Sequence, residues 1–295
     1  MNRVNLNATV PYSLEEPSLI SESPNLALQL AKAAFKSGNY QLGEPLPHLA
    51  SRWENFVVDK EHLSRYNAVC GFDSKNIPVT YPWVICFPLI MNILLSKRFP
   101  LGAMGQVHVR NRVSLHEPVD SHSPVLLCAS VGSSELTHRG LQWNIDLQVS
   151  AQDRILWSGQ STFLYRCKTA VEPQVQDWDQ GTPPPSVYSW SVSKDIGRSY
   201  ASISGDYNPI HLSALTAKLF GFKRAIAHGM WSKARCLAQL DQHMPDAGYT
   251  VDVAFRRPVF LPTKVGLSSQ QSQDSHRFSL FNLSGGQIHL NGTIF

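Results

Sequence analysis

The chain has 295 residues, which is enough for one large domain or two smaller ones. Hydrophobic residues make up 43% of it and charged residues only 16%, so the composition allows a substantial buried core. The net charge of +4 is too mild to indicate nucleic-acid binding, although it is compatible with phosphate-bearing ligands or an acidic partner.

The sequence predicts neither a secretory signal nor a membrane span. The first seven residues lack the apolar core of a signal peptide. The longest uncharged apolar run, residues 79–95, is interrupted by Pro82 and Pro88 and is interpreted as buried core. The five cysteines are odd in number and form no Cys-x-x-Cys pair, which favours reduced thiols in a cytoplasmic protein over disulfides or a zinc site.

The first part of the chain predicts an N-terminal extension followed by a strand and a helix. Residues 25–36 are strong helix formers that end before Gly38, a plausible C-cap, so we assign residues 1–45 to an extension with a helix. Residues 49–58 resemble a strand, and Asp59 is the predicted N-cap of a short helix over residues 59–66.

The middle of the chain predicts long strands and then a linker. Residues 125–133, 141–149 and, in part, 154–166 alternate apolar and polar side chains, which is typical of antiparallel strands. Three consecutive prolines, 183–185, cannot lie in a helix or a central strand. We therefore predict a linker at 171–187 between two repeats at 46–170 and 188–295.

The last part of the chain predicts a compact α+β unit. A strand begins at Tyr188, a short helix begins at Asp195, and a second short helix covers residues 214–219. Residues 225–240 predict a long central helix with one apolar face, and residues 86–95 are its more apolar counterpart in the first repeat. Closing strands are predicted over residues 250–255, 263–271, 277–283 and 287–295.

Two pairs of segments suggest an internal duplication. Tyr66 and Gly71 recur as Tyr200 and Gly205 at an offset of 134. The segments at 106–118 and 250–262 share Val, Val, Arg and Pro at an offset of 144. Chance similarity between short segments is the alternative, but the order of the motifs favours duplication. In the first repeat, Phe72 stands where the second has Asp206, and Ile77 stands where it has His211.

Residues 200–211 contain a carboxylate and an imidazole five positions apart, Asp206 and His211. Gly205, Asn208 and Pro209 are turn formers, so the segment predicts a tight, stiff loop that presents both side chains toward one point. The alternative is a loop Asp that acts as a cap, with a His that follows it by chance.

This stretch resembles the hydratase-2 motif of MaoC-like (R)-specific enoyl-thioester hydratases and dehydratases. An aromatic residue, Tyr200, is followed after three positions by Ser204-Gly205-Asp206-x-Asn208-Pro209-Ile210-His211, which fits the motif at each of these positions. The resemblance covers residues 45–295 and implies a double hotdog fold with a degenerate first repeat. It implies no cofactor or metal, and either a monomer or a homodimer.

The resemblance also implies reversible hydration of trans-2-enoyl thioesters to (R)-3-hydroxyacyl thioesters. Coenzyme A is the favoured carrier, and an acyl carrier protein is the alternative. Thioester hydrolysis on the same fold and non-catalytic acyl binding are further alternatives, which the intact motif disfavours.

Three residues are predicted to carry the reaction. Asp206 and His211 would bind one water and move its proton. Gly229 lies at the start of the predicted central helix, where a free backbone N–H could hold the thioester oxygen as it gains charge; the family's His-Gly-Met segment has the same place and role. His228 is interpreted as a structural histidine, and Ser204 and Asn208 as braces of the loop.

Weaker predictions concern substrate binding. Five cations are candidates to meet a coenzyme A phosphate or an acidic carrier protein, and a solvated charged face is an equal alternative for each: Lys223, Arg224, Lys233, Arg256 and Arg257. The apolar replacements Phe72 and Ile77 suggest that the first repeat accommodates the acyl chain. The remaining histidines show no metal-ligand spacing, and there is no dinucleotide fingerprint.

Overall fold

The computed structural model of the protein describes residues 17–20, 29, 32–33, 36–73, 76–173, 188–284 and 286–295. The predicted helix at 25–36 and the predicted linker at 171–187 therefore lie almost entirely outside the described residues, and the predicted domain boundaries remain predictions. Within the described parts of the chain, no helix is both long and apolar enough to cross a membrane.

The first part of the chain supplies six strands and three helices among the described residues. Asp59 caps the first helix, as predicted, because its carboxylate accepts hydrogen bonds from the N–H groups of Glu61 and His62. The elements in chain order are β1 (Ser18–Ile20), β2 (Ala50–Phe56), α1 (Lys60–Cys70), α2 (Tyr81–Ile85), α3 (Phe87–Leu95), β3 (Val107–Leu115), β4 (Val125–Thr137), β5 (Gly140–Ala151) and β6 (Arg154–Tyr165).

The second part supplies five strands and three α-helices among the described residues. The central helix begins at Gly229, four residues later than the predicted start at 225, because Ala225 and Ala227 hydrogen-bond to Leu261 and Val259 in extended form. The elements are β7 (Tyr188–Val192), α4 (Ile196–Ser204), α5 (Ala214–Lys218), α6 (Gly229–Leu240), β8 (Tyr249–Phe255), β9 (Thr263–Gln271), β10 (His276–Asn282) and β11 (Ile288–Ile294).

All eleven described strands form one sheet, in the order β1-β2-β4-β5-β6-β3-β8-β11-β10-β9-β7. The strands before residue 170 are contiguous, as are those after residue 187, and antiparallel pairing of β3 with β8 joins the two groups. Sheets of more than about ten strands usually curl or split, and α3 packs against β2 and β4.

The helices α3 and α6 lie in the core and bury their apolar side chains. Six of the nine residues of α3 are buried, as are Met230, Trp231 and Leu237 of α6. Burial of side chains of this size stabilises the fold by about 1.5–3 kcal/mol each. This core fixes α6, and with it Gly229, relative to the sheet.

Candidate active site

The Asp206 loop begins where α4 ends. Gly205 caps the helix with φ 74°, a left-handed conformation that favours glycine. The Asp206 N–H donates to Ser204 Oγ at 3.2 Å, and the Asn208 N–H donates to Asp206 Oδ1 at 3.2 Å. Asn208 Oδ1 then accepts from the N–H of Ile210 at 3.4 Å, where Pro209–His211 form one 3₁₀ turn. Ser204 and Asn208 thus both hydrogen-bond within the loop, which is the arrangement expected of bracing residues.

His211 is buried, with 8% of its surface exposed, and has a fixed tautomer. Its Nδ1–H donates to the carbonyl oxygen of Ile226 at 2.8 Å, and because a carbonyl can only accept, Nδ1 carries the proton. Burial lowers the pKa of His211, and the nearby Asp206 carboxylate opposes this effect. His211 is therefore neutral near pH 7 and keeps a lone pair on Nε2.

His228 lies against His211 and orders the loop from the other side. Its Nε2–H donates to the backbone oxygen of Asp206 at 2.8 Å, and the two imidazoles stack with centroids 3.6 Å apart. Burial and the neighbouring His211 hold the pKa of His228 well below its ordinary value. A neutral His228 therefore holds the Asp206 loop by this bond, and the structural role predicted for it stays a prediction.

Asp206, His211 and His228 form one group of potential metal ligands among the described residues. One ligand atom of each lies within 4.8 Å of the others. A shared metal ion requires the ring-plane lone pairs of both histidines to meet at one point, whereas these rings stack 25° from parallel. The arrangement therefore suits proton transfer better than metal coordination.

Gly229 is the first residue of α6 and lines the same cavity as Asp206 and His211. The N–H groups of a helix's first turn have no partner within the helix and lie at its positive end. A Cβ at this position would come within 3.1 Å of the Phe255 ring, so close packing also restricts the residue. The surroundings of Gly229 thus fit both predicted roles, a backbone hydrogen-bond donor to the cavity and a residue that allows close packing on Phe255.

The cavity has a volume of about 290 Å³ and is lined from both parts of the chain. Asp206, His211 and Gly229 line it from the second part. An apolar wall comes from the first part and is made by Trp83, Phe87, Ile90, Met91, Leu94, Trp143 and Phe163. Among the described lining residues, Asp206 is the only acidic one, and four arginines also line the cavity: Arg139, Arg166, Arg256 and Arg257.

The predicted substrate-binding cations separate into three groups. Arg256 and Arg257 line the cavity, whereas Lys223 and Arg224 are exposed and do not. The guanidinium of Arg224 instead lies 5.7 Å from the Phe260 ring centroid. The prediction for Lys233 is wrong, because its side chain is 0% exposed and donates to the Asn111 Oδ1 and to the carbonyls of Asn111 and Val251. Burial lowers its pKa well below the ordinary value.

The structure does not place Phe72 and Ile77 among the described residues that line the cavity. Phe72 is buried and stacks on Tyr66, with ring centroids 6.3 Å apart, and Ile77 is partly buried against the core. These two residues pack the interior of the first part of the chain. The residues of that part that reach the cavity come instead from α2, α3, β3, β5, β6 and the loop before β3, together with Ala33, Arg139 of the β4–β5 turn and Arg166 after β6.

His108 lines the cavity and was missed by the sequence interpretation. Regular alternation in β3 would put its side chain on the outer face with Arg110 and Arg112, but the pairing with β6 shifts register between His108 and Arg110. His108 is thereby turned inward and stacks on Phe163 and Trp83. Burial, followed by the charge of Lys233, lowers its pKa to about 3. No local sequence pattern indicates this bulge.

Comparisons with known proteins place the chain in one family. A family described as "MaoC like domain" matches residues 177–291. The 3-hydroxyacyl-thioester dehydratase X of Mycobacterium tuberculosis is 31% identical over 254 residues, which is 85% of this chain and 90% of that protein. This chain belongs to the MaoC-like dehydratase family.

The solved structure of that relative confirms the predicted double hotdog fold. It superposes with a TM-score of 0.74 at 30% identity and covers 83% of this chain and 98% of its own. Two shorter matches concern other relatives. The mitochondrial 3-hydroxyacyl-[acyl-carrier-protein] dehydratase of Arabidopsis thaliana is 32% identical over 25% of this chain and 44% of that protein. The (R)-specific enoyl-CoA hydratase of Aeromonas caviae is 33% identical over 22% of this chain and 52% of that protein.

Proposed function

We propose that the protein is a hydro-lyase of fatty acid metabolism that reversibly hydrates trans-2-enoyl thioesters to (R)-3-hydroxyacyl thioesters. The observation that carries the proposal is the convergence of Asp206, His211 and the start of α6 at Gly229 on one largely apolar cavity. The acyl group would arrive on coenzyme A or on an acyl carrier protein, as the names of the matched relatives suggest.

The Asp206 carboxylate and the His211 Nε2 lone pair are both acceptors, so together they can hold one water by its two hydrogens. In hydration, the water oxygen forms a bond to Cβ of the enoyl group, and this pair takes one proton from the water. The same proton is then given to Cα. The sum is addition of H and OH across the double bond, and dehydration follows the reverse path.

The thioester oxygen gains negative charge while Cβ is attacked. The Gly229 N–H is the proposed donor to this oxygen, because it lies in the first turn of α6 and lines the cavity beside His211. Removing a donor of this kind costs about 2.7–4 kcal/mol of barrier in other enzymes. Only proline lacks a backbone N–H, and its side chain at this position would crowd the Phe255 ring, so the role of the donor is best tested through the geometry of α6.

The acyl chain is proposed to extend into the part of the cavity that the first repeat supplies. Ile90, Met91 and Leu94 of α3 line this region, and their side chains offer no hydrogen-bond donor. The repeat at 46–170 is therefore proposed to bind acyl chains and the repeat at 188–295 to carry the chemistry. The acyl-binding role assigned to Phe72 and Ile77 passes to these cavity-lining residues.

The decisive experiment follows the loss of enoyl-thioester absorbance with crotonyl-CoA and with trans-2-octenoyl-CoA. We expect formation of the (R)-3-hydroxy product, abolished in Asp206→Ala and in His211→Ala. Release of free thiol would indicate a thioesterase, and tight binding without turnover would indicate a non-catalytic acyl-binding protein. Turnover that persists in Asp206→Ala would refute the mechanism.

A cytoplasmic location is proposed because all five cysteines are free thiols, which is usual in reducing compartments. The oligomeric state is proposed to be a monomer or a homodimer, because the two-repeat contact already forms within one chain through β3 and β8.

A further inference from the structure

The most exposed large apolar side chains of the described residues lie together beside the cavity. Leu215 is 76% exposed and Leu219 is 80% exposed. They are four positions apart at α5, so they occupy one face of the same turn, with Lys218 between them. Phe220 follows, is 37% exposed and also lines the cavity, which places this apolar patch at the cavity mouth.

The patch is held rigidly on the catalytic loop. Ser213 caps α5 by accepting from the Thr216 N–H, and Thr216 Oγ1 donates to the carbonyl of Pro209 at 2.7 Å. Ala217 is completely buried underneath. A preorganised surface loses little conformational entropy on binding, so these leucines are presented to a partner at low cost.

The surroundings of the patch are strongly basic. Residues 212–224 and 256–262 contain five Lys and Arg residues and no Asp or Glu, whereas the whole chain carries a net charge of only +4. The two segments are adjacent, because the Leu261 N–H donates to the carbonyl of Ala225, directly after the first segment, and Arg224 donates to the carbonyl of Pro262. Arg257 is exposed and lines the cavity, so the basic region continues to the mouth.

We propose that the outer face of α5, with Leu215, Lys218 and Leu219, is the docking surface for an acyl carrier protein. Such a partner is a small acidic protein that delivers the acyl thioester on a phosphopantetheine arm. Its acidic side chains would meet the basic rim, and its apolar side chains would cover the two leucines. This inference rests on the proposed function, because the arm must enter the cavity past Phe220.

Charge complementarity alone would also suit coenzyme A. Phosphates account for the exposed arginines and lysines, but they provide no apolar surface for Leu215 and Leu219. Exposed apolar side chains that lie together and are rimmed by charge are characteristic of protein interfaces. The leucines therefore favour a protein partner over a free nucleotide carrier.

The test compares two substrates in one enzyme. Crotonyl-CoA and crotonyl-loaded acyl carrier protein are hydrated by the wild type and by the double variant Leu215→Ser, Leu219→Ser. We expect kcat/KM for the carrier-protein substrate to fall at least about ten-fold, mainly through KM, while that for crotonyl-CoA stays within about two-fold. Lys218→Glu should have the same selectivity, and added salt should weaken the carrier-protein reaction more than the coenzyme A reaction.

The matched control is Leu19→Ser. Leu19 is an exposed leucine on β1, the first strand in the sheet order, and its substitution should change kcat/KM for neither substrate. Equal loss with both substrates would indicate a structural role for α5, and no loss with either would leave the patch without this function; both results overturn the docking proposal. Failure of the wild type to hydrate either thioester would instead refute the proposed function.

A second copy of the chain is the competing occupant of this face. Sedimentation of the wild type and of the double variant separates the two possibilities. An unchanged oligomeric state together with selective loss of carrier-protein turnover supports the proposal. A dimer that dissociates in the variant would assign the patch to a contact between copies and overturn it.

Discussion

The end of α1 and the end of α4 have the same backbone design but different chemistry. Both helices carry a buried tyrosine, Tyr66 or Tyr200, and both end at a left-handed glycine five residues later, with φ 80° at Gly71 and 74° at Gly205. The two tyrosine rings lie 6.4 Å apart. The shared feature is thus a helix, a ring and a turn, and none of these carries acid–base chemistry by itself.

The residue after the glycine makes the difference. Phe72 follows Gly71 and packs on Tyr66, whereas Asp206 follows Gly205 and reaches the cavity. The residue after the glycine therefore fills the core in one case and supplies a hydrogen-bond acceptor in the other, while the turn itself is the same. The proposed catalytic function therefore needs only a small set of side chains on a scaffold that is maintained by packing.

The first part of the chain still supports the second. His62 of α1 bonds through Nε2 to the carbonyl of Ile203, in the last turn of α4, at 2.8 Å, and its Nδ1 bonds with the hydroxyl of Tyr81. The carbonyls of a helix's last turn have no partner within the helix. The first part of the chain thus satisfies a carbonyl at the end of the helix that leads into the Asp206 loop.

The largest expected effect comes from Asp206→Asn. This substitution removes the carboxylate, which is the chemical difference between Asp206 and its counterpart Phe72. We expect kcat for enoyl-thioester hydration to fall about 10²–10⁴-fold, because positioned acid–base groups contribute this much. The amide oxygen can keep the hydrogen bond from the Asn208 N–H, so the thermal midpoint should hardly change. A variant that retains more than a tenth of the wild-type kcat would contradict the assignment.

The second effect is on stability and concerns the counterpart position. Phe72→Ala should lower the free energy of unfolding by about 3–5 kcal/mol, because a buried aromatic ring is lost. Its effect on kcat at a temperature where the protein stays folded should be small, since Phe72 does not line the cavity. Phe295→Ala, at an exposed phenylalanine, is the control in denaturant titrations; equal losses in the two variants would rule out a packing role for Phe72.

The third effect reaches the site through the backbone. A Cβ on Gly197 of α4 would collide with the carbonyl oxygen of His211. Gly197→Ala should therefore cost about 1–3 kcal/mol of stability and also reduce kcat by displacing His211. Gly102→Ala, whose Cβ would find its nearest neighbour at 3.5 Å, should be nearly silent in both assays. Full activity in Gly197→Ala would mean that the 3₁₀ turn can move without consequence.

The fourth effect tests the apolar wall supplied by the first repeat. Leu94→Trp, and likewise Ile90→Trp, should lower kcat/KM for trans-2-octenoyl-CoA about ten-fold more than for crotonyl-CoA, because the longer chain needs the volume that the indole fills. Leu94→Ala should shift the preference the other way. Equal impairment of both substrates would argue against an acyl chain lying along α3.

The smallest effect is the pH dependence. Because burial lowers the pKa of His211 from 6.5, its Nε2 lone pair is present at neutral pH and is lost only as the pH falls through the lowered value. We expect kcat/KM to be flat between about pH 7 and 8 and to decline only below 6.5. A decline that is already complete at pH 7 would indicate a raised pKa and a cationic His211.

The sequence by itself determined the parts that depend on local pattern. The alternation in residues 125–166 predicted β4, β5 and β6, and Asp59 predicted the start of α1. The motif from Tyr200 to His211 predicted the proposed acid–base pair, because turn formers and reactive residues at fixed spacing are readable without knowledge of the fold.

Only the tertiary structure decided which distant residues share the cavity. It buried Lys233 against β3 and β8, turned His108 inward through a bulge, and withdrew Phe72 from the site. It also left Leu215 and Leu219 exposed beside the cavity mouth. Each outcome depends on packing between segments far apart in the chain, and local propensity carries no information about those contacts.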